Sequence, residues 1–323
     1  MERAVVSWLC SSAAVRGRAH NRRREPCQDR ARAIRRDGVT AIALADGAGS
    51  ARLSHFGAET AVRAVLRFSC RYFDELFSSE PGEVRGRVVS HVCDALGACA
   101  ATQKASIQDM ATTLLVVAVK GSRFLAVHVG DGVIACERDG VSSVLSSPTR
   151  GEYANETVFI TSRKAPDALF LARGDVRPYT AFALMSDGSA TVLYDRRESR
   201  IAPAVRTIWG WLDRNTPSDV ESALRHNLRD LFLEKSSDDC SLAIMRRRVT
   251  QIAAIAECDL EFQKLILGCT SSRSVRSRLS VLRCMEEEDY SVEPDALATI
   301  AKKTGLSIER ASFHAFSMRQ MLS

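Results

Sequence analysis

The chain is poor in aromatic residues and lacks the cysteine patterns that mark several functional classes. Phe, Trp and Tyr make up 6% of the 323 residues, and none is interleaved with the densest run of arginines. A stacking surface for single-stranded nucleic acid is therefore not indicated. No two of the 10 Cys have C-x-x-C spacing, which leaves a zinc or thioredoxin-like motif unsupported. Thiols scattered in this way are typical of a reducing cytosol.

Long apolar runs are also missing. No stretch approaches the roughly 20 apolar residues that a membrane-spanning helix needs. The segment Met1–Cys10 lacks the apolar core of a signal peptide. We therefore expect a cytoplasmic protein with no membrane segment.

Charge is only modestly unbalanced, with 45 Lys and Arg against 39 Asp and Glu and a net charge of +6. Much of the excess lies in one arginine-rich stretch near the N-terminus. A solvated basic loop is the simpler interpretation, and a surface that attracts phosphorylated or acidic substrates is the alternative. Nucleic acid is the least favoured partner. The arginines of the stretch are Arg16, Arg18, Arg22, Arg23, Arg24, Arg30, Arg32, Arg35 and Arg36.

Hydrophobic periodicity predicts mostly strands and a few helices up to position 247, and helices beyond it. The strands Ala31–Ile34 and Val39–Leu44 flank Asp37-Gly38, a typical hairpin turn. The region Ser146–Arg177 is expected to be irregular, with one strand at Thr157–Thr161. Long helices are predicted at Phe56–Phe77 and Glu83–Lys104, and four short ones at Ile252–Leu267, Val275–Met285, Pro294–Lys303 and Ile308–Leu322.

Acidic residues stand beside several predicted strands. Asp29 precedes one strand, Asp46 and Asp187 follow two others, and Asp238 precedes the last. Carboxylates drawn from distant strand ends can build a site for a hard divalent cation. Mg²⁺ and Mn²⁺ prefer oxygen ligands and keep several waters, so few carboxylates suffice.

The order of these motifs is more specific than any one of them. The chain shows Gln28-Asp29, then Asp46-Gly47, two helices, Thr112-Thr113, Gly130-Asp131-Gly132, Ser186-Asp187-Gly188 and Asp238-Asp239. This order resembles the metal-dependent PPM (type 2C) Ser/Thr protein phosphatases, in their bacterial-type branch. The resemblance covers about residues 5–247.

The resemblance implies an α+β fold, a four-layer α-β-β-α sandwich in which helices flank two antiparallel β-sheets. It places the phosphatase domain at residues 1–248. Residues 249–323 would then form a helical C-terminal extension of unknown role. Their apolar residues Phe313, Phe316, Met318 and Leu322 would form a face that either packs on the phosphatase core or docks a partner. We favour docking, because the catalytic module is complete without these helices.

The resemblance also implies two Mn²⁺ or Mg²⁺ ions, with a weaker third ion at Asp131 and Asp187. Asp46 would bridge the two ions, and Asp187 and Asp238 would complete the catalytic set that acts through a metal-bound water. Asp238 fits the family's last motif better than Asp239. The implied metal ligands are Asp29, Asp46, the Gly47 carbonyl, Asp131, Asp187, Asp238 and Asp239.

A cation that binds phosphate is implied as well, and two residues are candidates. Arg24 lies four residues before Gln28, the family's usual arginine spacing. His20 matches the opening Gly17-x-x-His20 of the bacterial-type branch.

Two departures from the family pattern keep two functions open. Gln28 replaces the usual Glu, and Ala48 stands where some relatives carry a His. The first hypothesis is an active phosphatase that hydrolyses phospho-Ser/Thr in a phosphorylated protein and opposes a Ser/Thr kinase. The alternative is a catalytically impaired pseudo-phosphatase that binds phosphoproteins as a regulatory module.

Overall fold

The computed structural model describes residues 7–148, 157–248, 259–267, 269–287, 294–312 and 314–315. They divide into two compact units. One spans Trp8–Arg247, and the other contains the described residues from Arg248 onward together with Ser7. Within the described residues, no helix is both long enough and apolar enough to cross a membrane.

The larger unit is built on two five-stranded antiparallel sheets. The first sheet has the order β1-β12-β9-β6-β7 and the second has the order β2-β3-β4-β5-β8. The first sheet comprises β1 (Ser7–Val15), β12 (Cys240–Arg248), β9 (Tyr179–Met185), β6 (Val133–Arg138) and β7 (Val141–Ser146). The second comprises β2 (Asp29–Arg36), β3 (Val39–Asp46), β4 (Leu114–Lys120), β5 (Arg123–Val129) and β8 (Phe170–Asp175).

The β2–β3 hairpin sets the register at the edge of the second sheet. Arg36 pairs with Val39 at the turn and Asp29 pairs with Asp46 at the other end. The turn residues Asp37 and Gly38 have φ values of 54° and 74°. This left-handed pair is the I′ geometry, whose twist matches that of the strands. The hairpin thus delivers two acidic residues side by side at one end of the sheet.

Helices cover the outer faces of both sheets. Alanines and valines of β3 and β4 pack under α2 and α4, and α7 and α8 pack on the first sheet. Aromatic rings fill the space between the sheets, with Phe182 5.7 Å from Trp8 and 5.6 Å from Phe124 between ring centroids. The helices of this unit are α1 (Arg18–Arg23), α2 (Ser54–Arg71), α3 (Phe73–Ser78), α4 (Pro81–Thr102), α5 (Ala165–Ala168), α6 (Asp187–Leu193), α7 (Ala204–Arg214), α8 (Pro217–Asn227) and α9 (Leu233–Lys235). The remaining strands β10 (Tyr194–Asp195) and β11 (Arg200–Ile201) pair only with each other.

The four-layer sandwich predicted from the sequence is confirmed. Three local predictions are wrong. Residues 157–161 form no strand, and the strand Phe170–Asp175 lies in the region expected to be irregular. The single helix expected at Phe56–Phe77 is interrupted at Tyr72.

The smaller unit contains helices around its own core. They are α10 (Leu260–Ile266), α11 (Ser272–Glu287) and α12 (Pro294–Thr304). Residues 308–312 and 314–315 are also helical. The helical extension predicted from the sequence is therefore confirmed over its described residues.

Candidate metal centre

The centre is built where strands of the two sheets end. Asp29 and Asp46 are direct partners across β2 and β3. Neighbouring threonines fix the backbone of Asp46. The Asp46 N–H donates to Thr113 Oγ1 at 2.9 Å, and the Thr112 hydroxyl donates to the Asp46 carbonyl at 2.9 Å. These bonds fix the position of the Asp46 backbone from which its side chain extends.

Three further carboxylates reach the same region from the other sheet and its loops. Asp187 begins α6 directly after β9, and Asp238 precedes β12. Asp131 follows β5 and accepts a hydrogen bond from Thr157 Oγ1 at 2.8 Å. All three raise the pKa of Asp46, which shows that the structure brings these predicted residues together.

The carboxylates repel one another in a buried setting. Burial, then the charges of Asp239 and Asp187, raise the pKa of Asp29 to about 8. Burial, then the charges of Asp131 and Asp238, raise the pKa of Asp187 to about 6. Burial and the four neighbouring carboxylates hold the pKa of Asp46 well above its ordinary value. Repulsion in such a cluster destabilises the folded state unless bound cations neutralise the negative charge.

Carboxylate oxygens without hydrogen-bond partners also indicate a site for cations. Both carboxylate oxygens of Asp29 and Oδ1 of Asp187 are buried and accept no hydrogen bond of normal geometry from the described residues. The nearby hydroxyls of Ser186 and Ser241 lower the pKa of Asp29, but they do not offset the increase that burial causes. Hard oxygen donors without partners fit Mg²⁺ or Mn²⁺.

Asp239 behaves differently from its neighbours. Its Oδ1 accepts the Gly17 N–H at 2.6 Å and lies 2.9 Å from His20 Nδ1, and its Oδ2 accepts the Gln28 N–H at 2.5 Å. Within the described part of the chain, only His20, Asp238 and Asp239 bring three potential ligand atoms within 4.8 Å of one another. Both oxygens of Asp239 nevertheless already have partners, so its carboxylate ties the opening loop to β12.

Close backbone packing at two glycines supports this junction. A Cβ on Gly17 would lie 2.3 Å from the Asp238 carbonyl carbon, and one on Gly188 would lie 2.1 Å from the Asp239 carbonyl oxygen. Neither distance is possible, so only glycine lets these loops approach.

The two candidate phosphate-binding residues lie in different environments. His20 is 5% exposed, with its Nε2 3.7 Å from Glu25. Arg24 is exposed at the left-handed C-terminus of α1, with φ of 58°. The described residues offer its guanidinium neither a hydrogen bond nor an ion pair, which leaves it available to an anion.

A cavity of about 420 Å³ borders Asp29 between the edge strands β1 and β2. Small side chains on both strands leave this space, among them Ser12, Ala14, Ala31 and Ala33. Of the clustered carboxylates, only Asp29 lines this cavity.

The sequence predicted the carboxylates but missed their supports. The contacts of Thr112 and Thr113 to Asp46 and the link from His20 to Asp239 were not anticipated. The Thr-Thr pair and the Gly17-x-x-His20 opening were visible signals, but their roles depend on pairings between distant segments. The structure also shows Ala48 buried, with its N–H bonded to the Ala111 carbonyl at 2.9 Å. Its methyl side chain supplies no titratable group there.

Comparison with known proteins agrees with this geometry. Residues 16–232 match the family model for protein phosphatase 2C. The chain therefore belongs to the 2C family of serine/threonine protein phosphatases.

Individual relatives are more distant. The chain is 26% identical over 184 residues to serine/threonine-protein phosphatase 3 of Escherichia coli, covering 55% of this chain and 73% of that protein. A structure of PppA, a key regulatory component of T6SS in Pseudomonas aeruginosa, superposes with a TM-score of 0.51 at 20% identity. That match covers 75% of this chain and 99% of the other. The structure of the serine/threonine phosphatase of S. agalactiae superposes with a TM-score of 0.52 at 19% identity. That match covers 75% of this chain and all of the other. These superpositions support the fold.

Proposed function

We propose that this chain hydrolyses phosphoserine and phosphothreonine in protein substrates with the help of divalent cations. The observation that carries the proposal is the cluster of Asp29, Asp46, Asp131, Asp187 and Asp238, with buried oxygens that lack partners. A cluster of this charge suits cations, and the family supplies the reaction class. A protein kinase that phosphorylates the same substrates would oppose the activity.

Asp46, Asp187 and Asp238 are the proposed primary ligands, with the Gly47 carbonyl beside Asp46. Asp29 would hold a cation directly or through its waters, and Asp131 with Asp187 would hold a weaker third one. Two Mn²⁺ or Mg²⁺ ions there would supply positive charge for the phosphoryl oxygens and lower the pKa of a water ligand.

The chain's own residues would bind and orient the substrate. We assign phosphate binding to Arg24, because its guanidinium is exposed and a guanidinium can bind two phosphate oxygens at once. His20 remains the second candidate, but it is 5% exposed and its Nδ1 faces Asp239 Oδ1 at 2.9 Å without hydrogen-bond geometry. We assign Asp239 the task of anchoring His20 and the loop up to Gln28 rather than direct cation binding.

The test is hydrolysis of p-nitrophenyl phosphate and of a phosphothreonine peptide with Mn²⁺ and then with EDTA. Asp46→Asn should abolish turnover, because it removes the proposed bridging charge. Asp37→Asn is the matched control. It makes the same chemical change at the exposed turn of the same hairpin, roughly 23 Å along the strands from Asp46. Full turnover by a folded Asp46→Asn protein would refute the assignment.

The pseudo-phosphatase remains the second candidate, because Gln28 is neutral and Ala48 has no titratable side chain. It predicts that the folded wild type binds the phosphothreonine peptide but turns over neither substrate with Mn²⁺ or Mg²⁺. Turnover lost with EDTA and in Asp46→Asn would exclude it.

A further inference from the structure

Arginines form a stripe along one edge of the second sheet. Side chains alternate along a strand, so β2 places Arg30, Arg32 and Arg36 on the same face. Their partners across β3 belong to the core beneath α2, which shows that this face looks toward α2. Arg63 and Arg67 extend the set on the exposed side of α2, one turn apart. We call these five residues the arginine stripe.

A carboxylate within the stripe ties the strand to the helix. Glu59 of α2 accepts hydrogen bonds from Arg32 Nη2 at 2.5 Å and from Arg63 Nε. Its Oε2 lies 3.3 Å from Arg30 Nε. One negative charge therefore faces three positive ones and cannot neutralise them. The side chains of Arg32 and Arg63 are 43% and 54% exposed, so an anion from another molecule can reach them.

The stripe follows β2 over nearly its whole length. Burial, then the charge of Asp37, raise the pKa of the Cys70 thiol to about 11, while Arg36 lowers it. The last turn of α2 therefore lies beside the β2–β3 turn, as its second turn lies beside the start of β2. Between its first and last arginines the strand rises roughly 20 Å. Asp37 lies 3.3 Å from Arg36 at the far end, and Asp29 of the carboxylate cluster begins the strand at the near end.

One edge of β2 is free, because β2 pairs only with β3 in its sheet. The Gly47 N–H donates to the Gln28 carbonyl at 3.2 Å. Since hydrogen-bonded pairs recur at every second residue of an antiparallel ladder, the even-numbered residues of β2 bond to β3. The backbone groups of Ala31, Ala33 and Arg35 therefore point to the free edge. Such an edge is a template for a strand from another chain.

The cavity of about 420 Å³ between β1 and β2 lies beside this free edge. Side chains that enter it meet small neighbours, so it offers room for residues of moderate size. Two charged residues of α8 also line it, and they pair with each other, with Arg225 Nη2 2.7 Å from Glu221 Oε1. The small residues that line it include Ser12, Ala14, Ala31 and Ala33.

The two sides of this edge select different side chains of one extended segment. Alternate side chains of an added strand would point toward the arginine stripe, where acidic groups are favoured. The intervening side chains would point into the cavity, where small or β-branched residues fit. Nucleic acid fits less well, because the stripe contains no aromatic side chain on which bases could stack. In strand addition, main-chain hydrogen bonds supply affinity and alternate side chains supply specificity.

We propose that the free edge of β2 binds an extended protein segment with acidic residues at every second position, as an added antiparallel strand. Antiparallel pairing is the more stable kind, and it places the C-terminal end of the segment beside Asp29. The residue that follows the segment then lies next to the carboxylate cluster. Resting on the proposed function, this makes the preferred substrates phosphoproteins in which such a segment precedes the phosphorylated residue.

The first test measures binding by the full chain in EDTA, so that it does not depend on turnover. Fluorescence anisotropy compares two fluorescein-labelled peptides as long as β2, which has eight residues. One alternates Glu and Val, and the other has the same composition with all Glu residues before all Val residues. The alternating peptide should bind more tightly. Arg63→Ala/Arg67→Ala should weaken its binding by roughly 2- to 30-fold, because two charge pairs are lost.

Two further variants separate strand addition from general attraction of acidic peptides. Ala33→Pro removes an N–H at the free edge, where proline is tolerated, and should also weaken binding of the alternating peptide. Arg138→Ala/Arg177→Ala is the matched control. It removes two exposed arginines, 58% and 79% exposed, near the opposite edges of the two sheets. It should leave binding unchanged, and circular dichroism would check that each variant is folded.

The second test measures turnover with Mn²⁺. A phosphothreonine peptide preceded by the alternating segment should have a lower KM than the same peptide without it. Arg63→Ala/Arg67→Ala should raise the KM of the long peptide only, with its kcat and the turnover of p-nitrophenyl phosphate unchanged. Absence of turnover with every substrate would refute the proposed phosphatase activity, while the binding test in EDTA would still decide whether the edge binds the segment.

Three results would each overturn the proposed binding site. They are equal binding of the alternating and block peptides, an Arg63→Ala/Arg67→Ala protein that binds as wild type does, and equal loss in the Arg138→Ala/Arg177→Ala control. A short duplex DNA that binds more tightly than the alternating peptide and displaces it would also overturn the proposal, because the stripe would then be a nucleic-acid surface. Preference for the alternating peptide, lost in Arg63→Ala/Arg67→Ala and kept in the control, would support it.

Discussion

At the scale of single residues, the carboxylate cluster lowers the stability of the metal-free folded state and provides oxygen ligands for cations. Asp29 is buried, Asp46 and Asp187 are half-buried beside it, and each of the three has a raised pKa. The folded state therefore holds protons that the unfolded chain releases above about pH 4. Cations at the site would replace those protons.

This charge balance predicts how metal-free protein responds to pH. Because the pKa of Asp29 rises from 3.8 to about 8 on folding, the folded state binds more protons between those values. The contribution of Asp29 to the free energy of unfolding should therefore fall as pH rises through this window. Melting in EDTA should show a lower Tm at pH 8 than at pH 6, and Mn²⁺ should restore it. Each kcal/mol corresponds to about 2–4 °C for a unit of this size.

Asp29→Asn tests the origin of that effect. The variant should melt higher than wild type in EDTA at pH 8, because it removes one repelling charge, and it should gain less from Mn²⁺. A variant that melts lower than wild type in EDTA at both pH values would contradict the electrostatic explanation.

Asp238 and Asp239 should respond differently to the same substitution. Asp238→Asn should weaken Mn²⁺ binding and leave Tm in EDTA nearly unchanged, because its side chain is exposed. Asp239→Asn should lower the stability in EDTA by about 2–4 kcal/mol, because the N–H groups of Gly17 and Gln28 lose a charged acceptor. Calorimetric Mn²⁺ titration and thermal melting would measure the two quantities. Equal loss of Mn²⁺ affinity in both variants would instead make Asp239 a ligand.

His128 gives an independent prediction at acid pH. The ring is completely buried, and burial lowers its pKa to about 4 although a hydrogen bond with the Gly130 backbone acts in the opposite direction. The folded state keeps the ring neutral while the unfolded chain protonates it near pH 6.5. The contribution of the neutral His128 ring to the free energy of unfolding is complete above pH 6.5 and is lost as pH falls toward 4. His128→Gln should flatten the fall in Tm between pH 6.5 and 4, and an equally steep fall would contradict this.

At the scale of elements, the junction of the opening loop with β12 and α6 depends on glycine. Gly17→Ala and Gly188→Ala should each destabilise the protein by about 1–3 kcal/mol and reduce Mn²⁺-dependent turnover, because backbone atoms at positions 238 and 239 must move. Gly97→Ala in α4 is the matched control, since a Cβ there meets nothing within 4 Å. It should stabilise by about 0.5–1 kcal/mol. Thermal melting and p-nitrophenyl phosphate assays would decide.

The two wrong strand predictions show where the local sequence did not determine the secondary structure. Residues 157–161 are rich in β-branched side chains, yet Val158 and Ile160 pack on the helix-covered core without joining a sheet. The edge strand Phe170–Asp175 is half-buried almost throughout, so it has no clear apolar alternation. In both cases tertiary contacts decide the structure.

The candidate site was predictable as a set of residues but not as an arrangement. Motif order singled out Asp29, Asp46, Asp131, Asp187 and Asp238. The partners of Asp239 lie more than 200 positions earlier in the chain, so no local pattern could indicate them. Likewise periodicity predicted the helices Val275–Met285, Pro294–Lys303 and Ile308–Leu322, but the core shared by their described residues became visible only in the structure.

At the scale of the whole molecule, the two units should be separable in function. All proposed cation and phosphate ligands lie between His20 and Asp239, within the unit Trp8–Arg247. A chain that ends at Arg248 should keep Mn²⁺-dependent turnover within about twofold. Phosphatase assays on the two lengths would measure this. A folded short chain without turnover would mean that catalysis needs the helical extension.

The pairing of the first strand with the last has a consequence for biosynthesis. β1 lies next to β12 in its sheet, and Asp46 is made roughly 190 residues before Asp238. At about 5–20 residues per second of translation, the ribosome needs roughly 10–40 s to cover that interval. During this time the nascent chain lacks both the closing strand and the last carboxylate. A chain that ends before residue 238 would therefore lack one of the proposed cation ligands, and we expect it to show no Mn²⁺-dependent turnover.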